Sequence, residues 1–291
     1  MIAQFALRLI CGMSLMWAIM PRREVASGFF RIQMLVVMGL AVLATLVAAM
    51  EIRPIVGAAQ SSQLGSLILL MGLPVGLILL LGLLGFVGSA LWTLERRTEA
   101  EWVGFSVLFI STALIVAPNF IPNVVIYISD TSVVGMGRSM TASHLTNALT
   151  AASEFAGSAL VGSTVVGMLL GHWYLTAPTM SIDPLKRLNQ FLGIAGVLRF
   201  LVSMTVVGLL SAGMLDTPDA TVRLAAVPKA WLGLRWLAGV FGPLVVSLMV
   251  WRILKYRNTQ AATGVLFVGV ILAFIGDMTA ALLLRETGLP M

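Results

Sequence analysis

The sequence predicts an all-α fold, a polytopic membrane bundle of about eight transmembrane helices. Three observations predict it. First, 59% of the 291 residues are hydrophobic and only 10% are charged, with a mean hydropathy of +1.01. A soluble domain carries about 25% charged residues, and surface-to-volume scaling leaves too much of any such domain exposed to hide this apolar content from water. Second, the apolar residues gather in eight runs of about twenty residues or more, the length at which a helix crosses a hydrocarbon core of about 30 Å. Third, stretches such as Leu67-Ile68-Leu69-Leu70-Met71 do not alternate polar with apolar residues, as the strands of a membrane barrel would.

The first run, 2–20, contains Arg8 and is followed by Arg22 and Arg23. A signal peptide carries its charge ahead of its apolar core, so this run reads as a retained helix. No lipidation motif is present. The second run is 29–50, with Arg31 close enough to its basic end to snorkel. The third, 66–93, is the longest, and Pro74 between Gly72 and Gly76 points to a kink or a close helix contact. The fourth is 102–120.

A long connection follows, 121–154. Its apolar stretch Val124-Val125-Ile126-Tyr127-Ile128 lies between Pro122 and Asp130, and Gly135 and Gly137 break the chain after it. From Ser143 to Phe155 the pattern is helical. His144, Asn147 and Glu154 fall on one face and Leu145, Ala148, Leu149 and Ala152 on the other, as in an interfacial helix leading into the fifth span.

The remaining runs are 155–177, 188–214, 230–252 and 261–284, all within one integral membrane domain. In the fifth, Ser163, Gly167 and Gly171 recur every four residues, a small-residue face for close helix packing. Thr259-Gln260-Ala261-Ala262-Thr263-Gly264 reads as the start of the eighth helix beside a basic loop, although such small and polar residues also let a ligand approach. The two four-helix halves share no matched motifs, so a parallel repeat is geometrically open but unsupported by sequence.

The net charge is +6 and the pI about 10.2. The cations sit in short connections between apolar runs, which speaks against nucleic acid as a partner and for the lipid bilayer. Counting connections from the first, the odd ones hold Arg22, Arg23, Arg96, Arg97, Lys186, Arg187, Arg252, Lys255 and Arg257. The even ones and the C-terminal tail hold Arg53, Arg138, Arg223, Lys229 and Arg285. By the positive-inside rule the odd connections are cytoplasmic and both termini face outward, in a bacterial-type cytoplasmic (inner) membrane.

Several chemistries are excluded. Cys11 is the one cysteine, so there is no intrachain disulfide and no thiolate cluster. No phosphate loop, HExxH or GxSxG motif is present, and no autonomous catalytic motif is found. The 17 methionines are scattered through apolar runs rather than paired outside them, so no metal site is expected. His144 and His172 are 28 residues apart, about 42 Å along a continuous helix, which rules out a bis-histidine haem within one copy.

The candidate site residues are the charges placed in apolar runs, because they are costly there. Arg235 lies about five residues in from the outer start of the seventh run, and Asp277 about seven from the outer end of the eighth. A short connection makes these helices antiparallel neighbours, so an intramembrane Arg235–Asp277 ion pair is expected. Arg199 has no acid evident at its depth. It must turn into the bundle or a water-filled cavity, towards backbone carbonyls, Ser203 or an anionic ligand group. His172, in Gly171-His172-Trp173-Tyr174-Leu175, is a hydrogen-bonded interfacial histidine, the proton-exchanging partner of a quinone head group or one axial haem ligand. His144 and Glu154 complete the ligand-binding candidates.

Three functional readings follow. One is the membrane subunit of a quinone-linked redox complex, with quinone as cofactor and other membrane or redox subunits as partners. In helix count alone the chain resembles the quinol-oxidising membrane anchors of polysulfide-reductase-type complexes, and no residue pattern carries positions across. The second is a transporter or channel for a small solute or ion, although the paired Gly/Pro-broken helices of ion-coupled sites are not evident. The third is a membrane scaffold or assembly factor.

Overall fold

In lipid the backbone must satisfy its own hydrogen bonds, so apolar runs of this length fold as helices. The computed structural model describes residues 2–58, 61–117, 140–177, 180–215 and 224–290, without the side chains of 52–58, 61–71 and 140–144. The helices are α1 (Ile2–Ile19), α2 (Ser27–Ala58), α3 (Ser61–Thr93), α4 (Arg97–Val116) and α5 (Met140–Thr176). They continue with α6 (Asp183–Ser211), α7 (Lys229–Trp236), α8 (Gly242–Lys255) and α9 (Thr259–Thr287). A π-helical segment, Leu237–Phe241, joins α7 to α8. Counted as one span, these two bring the helices long and apolar enough to cross a membrane to eight among the described residues. No strand occurs among the described residues. The chain divides into two compact units, Met1–Ile115 and Val116–Met291.

In the first unit α2 and α3 pack closely. A Cβ at Gly85 would stand 2.8 Å from Met34 O, and one at Gly88 would stand 2.9 Å from Met34 Sδ. Phe30 of α2 stacks on Trp92 of α3 with ring centroids 4.6 Å apart. Cys11 Sγ and Thr112 Oγ1, 3.4 Å apart, link α1 to α4. Arg22 pairs with Glu101 at 3.3 Å and lies over the Phe105 ring. Of the kink or close contact expected around Pro74, the described residues show no close contact. Among the described residues a Cβ at either position meets nothing within 4 Å, and the helix runs on through Pro74. The glycines that do meet a neighbour lie two to three turns further along α3. Arg53, placed in a connection by its charge, lies within α2, because an existing helix propagates cheaply beyond its apolar stretch.

In the second unit α5 is the central element, packed on α6 and α9. Its small-residue face meets α9: a Cβ at Gly167 would touch Leu266, and one at Gly171 would collide with Thr263. The interfacial helix expected over 143–155 is not a separate element, because α5 is unbroken from Met140 to Thr176. Glu154 is buried, while Leu145, Ala148 and Ala152 are exposed. A carboxylate on a membrane helix turns towards its neighbours, and alanine or leucine loses nothing by facing lipid. The apolar stretch 124–128 and the glycines at 135 and 137 lie outside the described residues.

The seventh span differs from the plain helix expected over 230–252. Pro243 has no N–H to offer the carbonyl one turn back, and its ring crowds that carbonyl. The chain widens instead, and Gly242 N–H donates to Leu237 O, the five-residue step of a π turn. The opening of α9 is an ordinary helix start: the Asn258 side chain accepts from Ala261 N–H.

Candidate functional site

Among the described residues the second unit buries four charged side chains, from four elements. Arg199 of α6 is 3% exposed, Arg235 of α7 1%, Asp277 of α9 6% and Glu154 of α5 4%. The helix period explains part of this grouping. Ser153, Glu154 and Gly157 fall within one turn or so of each other on α5, and Arg199 and Ser203 stand one turn apart on α6.

Arg199 is held by α5. Its Nη1 donates to Ser153 Oγ at 2.7 Å and also to the Ser153 carbonyl. A Cβ on Gly157 would stand 3.1 Å from Asp277 Oδ1 and 3.5 Å from Arg199 Nη1. The carboxylate of α9 and the guanidinium of α6 thus adjoin the same glycine of α5, where a Cβ would touch the guanidinium and need the carboxylate to give by a few tenths of an ångström.

Arg235 is held by α6. Its Nη2 donates to Ser203 Oγ at 2.9 Å. A Cβ on Gly239, in the π segment, would stand 2.6 Å from Arg235 Nη1 and 2.8 Å from Gly276 Cα. A Cβ on Gly276 would run into Gly239 Cα itself. The π segment and α9 therefore cross backbone to backbone at two glycines, with Arg235 on one side of the crossing and Asp277 next in the chain on the other.

Arg199, Arg235, Glu154 and Asp277 come from one unit and are all turned inward. The sequence offered Ser203 as a partner for Arg199, but the structure gives Ser203 to Arg235 and Ser153 to Arg199. Ser153, Gly157, Gly239 and Gly276 were missed. For two of them the sequence signal is adjacency: Ser153 precedes Glu154, and Gly276 precedes Asp277.

His172 does not join them. It is exposed and lies 15 residues beyond Gly157 on α5, about 22 Å along the axis. The side chain of His144 lies outside the described residues. Among the described residues no three His, Cys, Asp or Glu groups gather as for a metal ion. Comparison with known proteins gives no relative: no family model matches, and no curated protein or solved structure shows a significant match.

The chemistry of the cluster follows from its members. A guanidinium cannot be deprotonated in a protein, so both arginines hold their charge. Asp277 and Glu154 are the buried carboxyl groups of the second unit among the described residues.

Proposed function

We propose that the chain is a proton-linked membrane transporter of a small solute or ion, with the buried cluster of the second unit as its coupling site. The observation that carries this reading is the convergence of Arg199 and Asp277 on Gly157, with Arg235 beside the Gly239–Gly276 crossing. Arg235 and Asp277 form an ion pair in this proposal. Protonating the carboxylate leaves a buried guanidinium without its counter-charge, a state costing several kcal/mol. Rearranging the bundle relieves that cost. The π segment at the cluster is a suitable place for the movement, since π turns interrupt the regular helical hydrogen bonding and recur at functional sites.

The test is reconstitution into liposomes containing a pH-sensitive dye, under an imposed potassium diffusion potential. Wild-type vesicles are expected to move protons faster than protein-free ones. Asp277→Asn is expected to fall to the protein-free rate at equal inserted protein. Wild-type flux no greater than that of empty vesicles overturns the reading. An Asp277→Asn protein that inserts poorly, yet conducts normally per molecule, would make Asp277 a structural residue and remove it from the coupling site.

The quinone-linked redox subunit is the second reading, favoured by one observation: His172 is exposed beside Trp173, where a head group or a partner subunit can reach it. It is the weaker one, because His172 is far along α5 from Arg199 and Glu154. Stoichiometric quinone and partner subunits copurifying from gently solubilised membranes would put it first. We further infer a bacterial-type cytoplasmic membrane with the odd connections on the cytoplasmic side and both ends of the chain outward, supported by the bias of connection cations.

A further inference from the structure

The start of α6 and the end of α8 lie side by side. Asn189 Nδ2 donates to Ser247 O at 3.0 Å, and Ser247 Oγ donates to Asn189 O at 3.1 Å, buried on both counts. The charge of Arg257 also reaches Asp183. This pairing gathers one sign of charge. Lys186 and Arg187 at the start of α6 are exposed, as are Arg252, Lys255 and Arg257 at the end of α8. Asp183, paired with Lys186 at 3.1 Å, is the one acid within either segment. Two exposed aromatics flank the cations: Trp251, with Lys255 Nζ 3.8 Å from its ring centroid, and Tyr256. Lysines and arginines with Trp and Tyr at a helix end are the composition of a membrane interface facing anionic lipid.

A shallow, open groove continues from this patch along the face of α6, formed by Gln190, Gly193, Ile194 and Val197. These residues follow Lys186 and Arg187 at helical spacing, so polar and apolar parts form one stripe. At Gly193, half-buried between patch and bundle, the absent side chain lets α8 come close, with Ser247 Oγ 3.0 Å from where a Cβ would be. From Lys186 to Val197 the helix rises about 16 Å, close to the hydrocarbon depth of one leaflet.

We propose that this stripe is a binding site for one anionic phospholipid. Its phosphate lies against Lys186 and Arg187, with the α8 cations supplying field, and an acyl chain fills the groove at Gly193, Ile194 and Val197. Charge favours this occupant: the cations outnumber the acids, and the groove beneath them is apolar where a soluble anion would have nothing to contact. The site is independent of the transport reading.

Native mass spectrometry of the purified protein with phosphatidylglycerol, phosphatidylcholine or inorganic phosphate tests it. Phosphatidylglycerol is expected to bind, with phosphatidylcholine weaker by on the order of tenfold. Lys186→Gln/Arg187→Gln is expected to lose a similar factor, and Ile194→Trp, which fills the groove at an exposed position, to weaken binding at unchanged charge. Thermal melting without lipid checks that each variant is folded, and Arg187→Gln alone replaces the double variant if that one is not. Equal binding of phosphatidylcholine, an unaffected double variant, or displacement of the lipid by millimolar phosphate each overturns the proposal.

Discussion

At the scale of single residues, the cluster depends as much on what is absent as on its charges. Gly239 and Gly276 let two backbones touch, so a methyl group at either position has nowhere to go. Gly276→Ala is expected to destabilise the protein by about 1–3 kcal/mol or more, the usual cost of overpacking. Gly264 of the same helix is the control. No described atom lies within 4 Å of its Cβ position, so Gly264→Ala is expected to stabilise by up to about 1 kcal/mol through helix propensity. Thermal melting in detergent reads both, and equal effects at 264 and 276 would argue against the crossing. Ser203→Ala removes the acceptor for Arg235 Nη2 and is expected to cost about 1–3 kcal/mol by the same assay, because the donor is charged and buried. The charges of this site were legible in the sequence, since arginine and aspartate are rare in apolar runs. The glycines were not. Gly76, with open space around it, and Gly276, at a backbone contact, look alike in a string of apolar residues, and only the partner helix distinguishes them.

At the scale of elements, the seventh span shows how one proline can place a charge. The π segment Leu237–Phe241 holds one residue more than a regular helix would need there, and that residue sets the rotation of α7 relative to α8. Removing it turns everything N-terminal to it by about 100°. Deleting Ala238 is therefore expected to swing Arg235 away from Ser203 and to bring a different side chain to the Gly239–Gly276 crossing. Loss of the monodisperse peak in fluorescence-detected size exclusion is the expected outcome. A deletion variant with wild-type elution and melting would show that the bulge does not set the register. Gly239, Gly242 and Pro243 were the available signal for this bulge. They were absorbed into a continuous run over 230–252 because hydropathy carries no record of backbone hydrogen bonding. The same insensitivity hid the continuity of α5. Its polar first turns looked like a surface element, although Glu154 is buried.

At the scale of the whole molecule, the eight spans were legible because bilayer thickness fixes helix length, and composition alone reports it. Sidedness rests on a different quantity, the distribution of cations among connections. The cytoplasmic assignment of the odd connections has nine lysines and arginines against five counted for the even connections and the C-terminal tail. Each cation near an anionic surface contributes about 1 kcal/mol, so the bias of four is large enough to orient insertion. Active reporter fusions separate the two orientations. A fluorescent protein that folds only in the cytoplasm is expected to be bright when joined after Arg97 or after Arg257. Alkaline phosphatase, active only outside, is expected to be active when joined within 216–223 and silent after Arg97. The reverse pattern would keep every helix and invert the sidedness. It would also move the cations at Lys186, Arg187, Arg252, Lys255 and Arg257 to the outer leaflet. Their anionic lipid would then have to come from that leaflet, so topology decides which lipid pool can fill the groove on α6.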